Sequence, residues 1–155
     1  MASGGGIIGD RLMRALSRFH MWVIRVTRGR LGWRLAGMTT VELHMTGRRT
    51  GQARTAILSA PIVEPGRVVL VASKGGADRH PAWYLNLVAH PDVVIELVDE
   101  RRAVRARTAT PGEKAELWPR VTAAYPGYAR YQARTRRDIP LVICEPREGS
   151  PGPVA

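Results

Sequence analysis

Five consecutive apolar residues, Val68-Val69-Leu70-Val71-Ala72, constrain this chain more than any other stretch. They lie between a Pro65-Gly66 turn and the glycine-bearing loop Ser73-Lys74-Gly75-Gly76-Ala77-Asp78. An apolar run bounded by turns in this way reads as a strand buried on both faces, so the fold must cover it from two sides. With 155 residues and 45% apolar composition, one domain of ordinary size can do this.

The neighbouring segments supply partners. Thr40 to Thr46 and Arg54 to Val63 flank the polar turn Gly47-Arg48-Arg49-Thr50-Gly51-Gln52 and read as a hairpin. Asp92 to Val98 places Val93, Ile95 and Leu97 on one side, and Arg101 to Thr108 alternates Val104 and Ala106 with Arg105 and Arg107. Ile139 to Glu145 is a last strand. Pro81 opens a helix whose stripe is Trp83, Leu87 and Val88. Thr110-Pro111-Gly112-Glu113 is a capping box at the start of another, with Leu117, Trp118, Val121 and Ala124 inward and a kink expected at Pro119. Tyr128 to Arg136 makes a short further helix. Hairpin-joined strands with helices packed outside give an α+β fold, a partly open antiparallel barrel.

Residues 1–38 form an N-terminal amphipathic helix and linker, 39–146 the barrel domain, and 147–155 a disordered tail. Ile8, Leu12, Leu16, Phe19, Val23 and Val26 stripe the helix from about residue 7 to 27, opposite Arg11, Arg14, Arg18 and Arg25. That pattern fits peripheral contact with an anionic membrane, and equally a stripe covering the domain's own core. No segment is long and apolar enough to span a bilayer, and the glycine-rich start is not a signal peptide. The single cysteine, Cys144, excludes an internal disulfide and sits in an apolar run, which points to a buried thiol and a cytoplasmic location.

Net charge is +11, carried almost wholly by arginine, so the partner is expected to be anionic. The phosphate-loop lysine motif, the dinucleotide glycine fingerprint, a zinc His pair and a nucleophile elbow are all missing. His20, His44, His80 and His90 are scattered, and no metal is expected. Two basic turns remain. Gly47 to Arg54 can curl its N–H groups around an anion with Arg49 and Arg54 flanking it; Ser73-Lys74-Gly75-Gly76 combines a hydroxyl, an ammonium and exposed amides. Tyr125, Tyr128 and Tyr131, at i, i+3 and i+6, offer an aromatic wall with polar tips for a planar ligand, or simply pack in the core.

These turns and tyrosines carry a family resemblance. Thr46-Gly47-Arg48-Arg49-Thr50-Gly51-Gln52-x-Arg54, Val71-Ala72-Ser73-Lys74-Gly75-Gly76-Ala77 with His80-Pro81-x-Trp83-Tyr84-Leu85-Asn86-Leu87, and Trp118-Pro119, Tyr125-Pro126-x-Tyr128, Tyr131-Gln132 and Ile139-Pro140 resemble, in that order, the deazaflavin (F420)-dependent nitroreductase family of actinobacteria. The nearest branch reduces nitroimidazoles and quinones. The resemblance implies a split β-barrel of the flavin-reductase-like, FMN-binding type, and hydride transfer from the reduced coenzyme F420H2 to a quinone-like or nitroaromatic acceptor. It implies that Arg48, Arg49, Thr50 and Arg54 bind the coenzyme's phosphate and acidic tail, that Val71, Ala72, Ser73 and Lys74 line its ring and linker, and that Trp83, Tyr84 and Asn86 close the other side. Ser73, Tyr125, Tyr128 and Tyr131 would face the acceptor. Ser59-Ala60 are small where relatives often carry an aromatic, which implies a wider pocket. Competing expectations are a same-fold binding protein for flavin, haem or fatty acid, and a basic nucleic-acid-binding module.

Overall fold

The computed structural model describes residues 34–35 and 38–149. The expected N-terminal helix over residues 7–27, with its membrane question, and the end of the tail lie outside these residues.

Among the described residues eight strands alternate with three α-helices: β1 Arg34–Leu35, β2 Met38–Thr46, β3 Ala53–Ala60, β4 Ile62–Glu64, β5 Arg67–Val71, α1 Ala82–Ala89, β6 Asp92–Glu96, β7 Arg101–Thr108, α2 Pro111–Ala124, α3 Gly127–Arg134 and β8 Leu141–Pro146. All pairings are antiparallel, and the sheet runs β1-β2-β6-β7-β8-β5-β4, with β3 joined to β2. Only Pro61 separates β3 from β4, yet β3 pairs with β2 and β4 pairs with β5. One bent strand therefore changes partner at a residue that has no N–H to donate, and the sheet curls back on itself. β3 has no strand on its second edge among the described residues. The result is a split antiparallel barrel.

The apolar run behaves as its sequence requires. Val68 and Leu70 enter the barrel interior with Val41, Leu43, Ile95, Val104, Val142 and Cys144. Val69 and Val71 face outward into a second cluster with Leu117, Val121, Tyr128, Ile139, Leu141 and Ile143. Paired strand β8 alternates in the same way, so two adjacent central strands are covered by barrel on one side and by α2 and α3 on the other. Burying each of these aliphatic side chains contributes about 1.5–3 kcal/mol. The Cys144 thiol, deep in the barrel, is pushed up to about 12 by burial and stays protonated.

Local expectations differ from the structure in three places. In α1 the buried positions are Asn86 and Leu87, and Val88 is 63% exposed, so the stripe is narrower than the spacing suggests and includes a polar amide. Strand β6 stops at Glu96, where Leu97 N–H donates to Glu100 O at 2.7 Å and closes the tight connection to β7. Helix α2 continues unbroken through Pro119, and Thr122 Oγ1 donates to the Trp118 carbonyl at 3.0 Å in the turn that follows.

The α2 start is a complete capping box: Glu113 N–H donates to Thr110 Oγ1 and Thr110 N–H to Glu113 Oε2. Arg107 adds a two-pronged bond to the same carboxylate, and these contacts hold the Glu113 carboxyl down at about 2. A carboxyl depressed on folding stabilises the protein above its ordinary pKa near 4.5, and that contribution is lost as pH falls toward 2. Thr110→Ala is expected to cost about 1 kcal/mol at neutral pH. Thermal melts from pH 7 to 2 should show a shallower acid decline for Glu113→Gln than for the parent; parallel curves would contradict this linkage.

Candidate active site

The β2–β3 turn is held in a closed curl. Gly47 N–H donates to Gln52 O and Gly51 N–H to Gly47 O, both at 2.8 Å, while Gln52 N–H reaches Thr50 Oγ1 at 3.3 Å. Gly51 sits at φ 67, the left-handed region that favours glycine. Helix α1 fixes the turn from below. Asn86, 9% exposed, accepts the Arg48 backbone N–H on Oδ1 at 3.1 Å and points its amide nitrogen at Met45 Sδ, 3.7 Å away. A buried amide that found no partner would be costly, so this geometry is strongly favoured.

The turn borders a cavity of about 520 Å³ to which Arg48, Arg49, Thr50, Arg54, Trp83 and Asn86 all contribute. Among the described residues no carboxylate lines it. Several other arginines are neutralised: Arg67, Arg102, Arg105 and Arg107 on the sheet and Arg120 on α2 each contact a carboxylate. Among the described residues, Arg48, Arg49 and Arg54 meet none. Three unneutralised guanidiniums around one hollow suit an anion.

A second cavity, about 390 Å³, shares Trp83 with the first. Strand β3 runs along both, with Arg54, Thr55 and Ala56 lining the first and Ile57, Leu58 and Ser59 the second. Its other walls include Val71, Ser73, Lys74 and the three tyrosines. After buried Ser73 the backbone turns left-handed for three residues, with φ 46 at Lys74, 65 at Gly75 and 82 at Gly76. Gly76 N–H closes on Ser73 O at 2.9 Å, and Ala77 N–H on Lys74 O at 3.2 Å. Lys74 is the one described non-glycine residue at positive φ, a local strain that the surrounding contacts must hold.

The tyrosines converge, though not from one helix. Tyr125 is the extended residue that ends α2, whereas Tyr128 and Tyr131 belong to α3. Gly127 makes room for the Tyr125 ring, which occupies the space a β-carbon would take. The ring centroids of Tyr125 and Tyr128 are 5.2 Å apart and nearly perpendicular, and each lies 6.2 Å from that of Tyr131. The Tyr125 and Tyr131 hydroxyls are 3.3 Å apart. Burial pushes Tyr128 up to about 12, and the bond to Tyr125 raises Tyr131, so both stay neutral near pH 7.

Two residues named from the sequence lie apart from this groove. Tyr84 lines a separate cavity of about 190 Å³ beside Leu87 and Val88, its hydroxyl 2.9 Å from Thr108 Oγ1. Ala72 is fully buried, its N–H bonded to Pro140 O. Met38, Ile57 and Leu58 complete the second cavity's apolar lining without any motif to announce them. Arg137, which binds the Ser73 loop from below, also carries no sequence signal beyond being one arginine among many. Among the described residues no group of three His, Cys, Asp or Glu side chains is placed to hold a metal.

Residues 16–146 match the family described as F420H(2)-dependent quinone reductase. F420H(2)-dependent quinone reductases from two strains of Mycobacterium tuberculosis are 40% identical over 132 residues, 83% of this chain and 88% of theirs. The solved F420-H2 dependent reductase FDR-A superposes with a TM-score of 0.63 at 37% identity, covering 68% of this chain and 93% of its own. A second solved structure, described as a domain-swapped dimer, gives 0.63 at 34% identity over 80% of this chain and 97% of its own. A match of this length, together with the two adjoining cavities, makes the chain a member of the F420H(2)-dependent quinone reductase family.

Proposed function

We propose that this protein holds the reduced deazaflavin coenzyme across both cavities and passes its hydride to a quinone stacked beneath the tyrosines. The observation that carries the proposal is the shared Trp83 wall, which joins an arginine-lined hollow, free of carboxylates among the described residues, to an apolar slot with neutral hydroxyls. The coenzyme's chemistry, when it is bound, is donation of a hydride from its reduced central ring. The protein's own work is binding, orientation and electrostatics.

Arg48, Arg49, Thr50 and Arg54 hold the phosphate and the acidic tail. Asn86 acts through the turn it anchors, since its carbonyl oxygen is already engaged by Arg48. Val71, Ser73, Lys74 and Trp83, which line the second cavity, would border the ring. Arrival of a hydride leaves negative charge on a quinone oxygen, and a neutral hydroxyl is the right donor for it. We assign that bond to Tyr131, whose hydroxyl lies 3.3 Å from that of Tyr125, with Ser73 at the same wall. Among the described residues no helix is long and apolar enough to cross a membrane.

Titration with F420 followed by steady-state assays on a simple naphthoquinone and a nitroaromatic compound tests this reading. Binding with quinone turnover is expected; absence of both would overturn it. Tyr131→Phe should lower kcat by about 10–100-fold and leave coenzyme affinity within a factor of two. A variant that bound coenzyme poorly and turned over normally would remove Tyr131 from the acceptor side.

A further inference from the structure

Arg137 makes more hydrogen bonds to the Ser73 loop than any residue within it. Its Nη2 donates to Ala72 O at 3.1 Å and to Ser73 O at 2.8 Å, and its Nε donates to Ala77 O at 2.7 Å. Its Nη1 lies 3.3 Å from His80 Nδ1. One half-buried guanidinium thus grips both ends of the turn that runs through Lys74, Gly75 and Gly76 at positive φ. Two residues earlier, Thr135 Oγ1 donates to Asp78 Oδ1 at 2.9 Å. Gly76 is pressed so closely on α3 that a β-carbon would lie 2.7 Å from the Tyr131 carbonyl oxygen.

We infer that Arg137 is a positioning residue for the coenzyme: it fixes the left-handed Ser73-Lys74-Gly75-Gly76 turn in the shape that presents Ser73 and Lys74 to the cavity, and ties that turn to the helix carrying Tyr128 and Tyr131. Three carbonyl oxygens pulled onto one planar cation set the direction of the peptide groups between them. A strained backbone persists only where its surroundings over-determine it, and at Lys74 the contacts that do so come from Arg137 and the two turn bonds. His80 supports the arrangement as a neutral acceptor, since burial and the adjacent Arg137 both lower its pKa. The inference rests on the coenzyme assignment for its functional half; the loop-fixing half stands without it.

The test uses the full chain with Arg137→Ala and Arg137→Lys, and Arg136→Ala as control, because Arg136 is exposed and makes no hydrogen bond among the described residues. Without coenzyme, hydrogen exchange at the Gly76 and Ala77 amides should accelerate at least tenfold in Arg137→Ala, and in Arg137→Lys to a smaller degree. Titration with F420 well below the melting temperature should show affinity lowered tenfold or more in Arg137→Ala, with Lys recovering part and Arg136→Ala unchanged. If parent and variants all fail to bind F420 while the amides still accelerate, the coenzyme assignment fails and the loop-fixing role stands. If the parent binds and Arg137→Ala binds equally well, the positioning role is overturned. Unchanged amide exchange overturns the whole inference. Should Arg137→Ala not fold, the same readouts on Arg137→Lys decide.

Discussion

Replacing Arg49 and Arg54 together by alanine is expected to weaken coenzyme binding by about 100- to 1000-fold while leaving the melting temperature nearly unchanged. Both side chains line the arginine hollow and neither meets a carboxylate there. Each removed fork takes away charge-assisted bonds worth about 1.5–3 kcal/mol, and two of them, at the lower end that suits exposed side chains, reach the stated range. The fold should not notice, because among the described residues the one hydrogen bond of either guanidinium is that of Arg54 to its neighbour Gln52, at 3.5 Å. Salt gives an independent check. Both residues are exposed, so the parent's affinity should fall steeply between about 50 and 300 mM salt, and the double variant's should be nearly flat. Arg105→Ala, which removes an arginine of similar exposure already paired with Asp92, should bind like the parent. If the double variant keeps parental affinity and salt slope, the anionic end of the coenzyme lies somewhere else.

The fold was legible because its decisive signals are local. Val68 to Ala72 demanded cover on two sides, and hairpin spacing plus the Thr110 capping box set most element boundaries. The barrel's closure was not legible. It depends on Pro61 turning one strand toward a second partner, and a proline within a strand-like run does not say which partner that is. In the site, the glycine and arginine turns and the tyrosine spacing stood out because they are unusual along the chain. Asn86 entered by resemblance alone, since its work is to satisfy a backbone N–H 38 positions away. Arg137 was missed for the same reason: its three carbonyl partners lie 60 to 65 positions upstream, and nothing in its neighbours distinguishes it from Arg134 or Arg136. The break between Tyr125 and Tyr128 was readable, but how the rings meet across it was not: they converge because Gly127 leaves room for the Tyr125 ring.

Gly76→Ala is expected to destabilise the protein by about 2–5 kcal/mol, the sum of left-handed strain and a clash that cannot be relieved by rotating a side chain. The new methyl would stand 2.7 Å from the Tyr131 carbonyl oxygen and 3.1 Å from its α-carbon, both backbone atoms, at a residue with φ 82. Gly75→Ala separates the two terms. It has a similar φ of 65 and open space around the same position, so it should cost only the strain, about 1–2 kcal/mol. Chemical denaturation of both variants should therefore differ by the packing term, about 1–3 kcal/mol. The clash also has a direction: the Ser73 loop can yield only by moving away from α3, which separates Lys74 from Tyr131. Quinone turnover in Gly76→Ala, measured at a temperature where it remains folded, should fall further than in Gly75→Ala. Equal stability and equal turnover in the two variants would mean that the loop and the tyrosine helix do not move as one packed unit, and that the tyrosine wall is positioned without help from the turn beneath it.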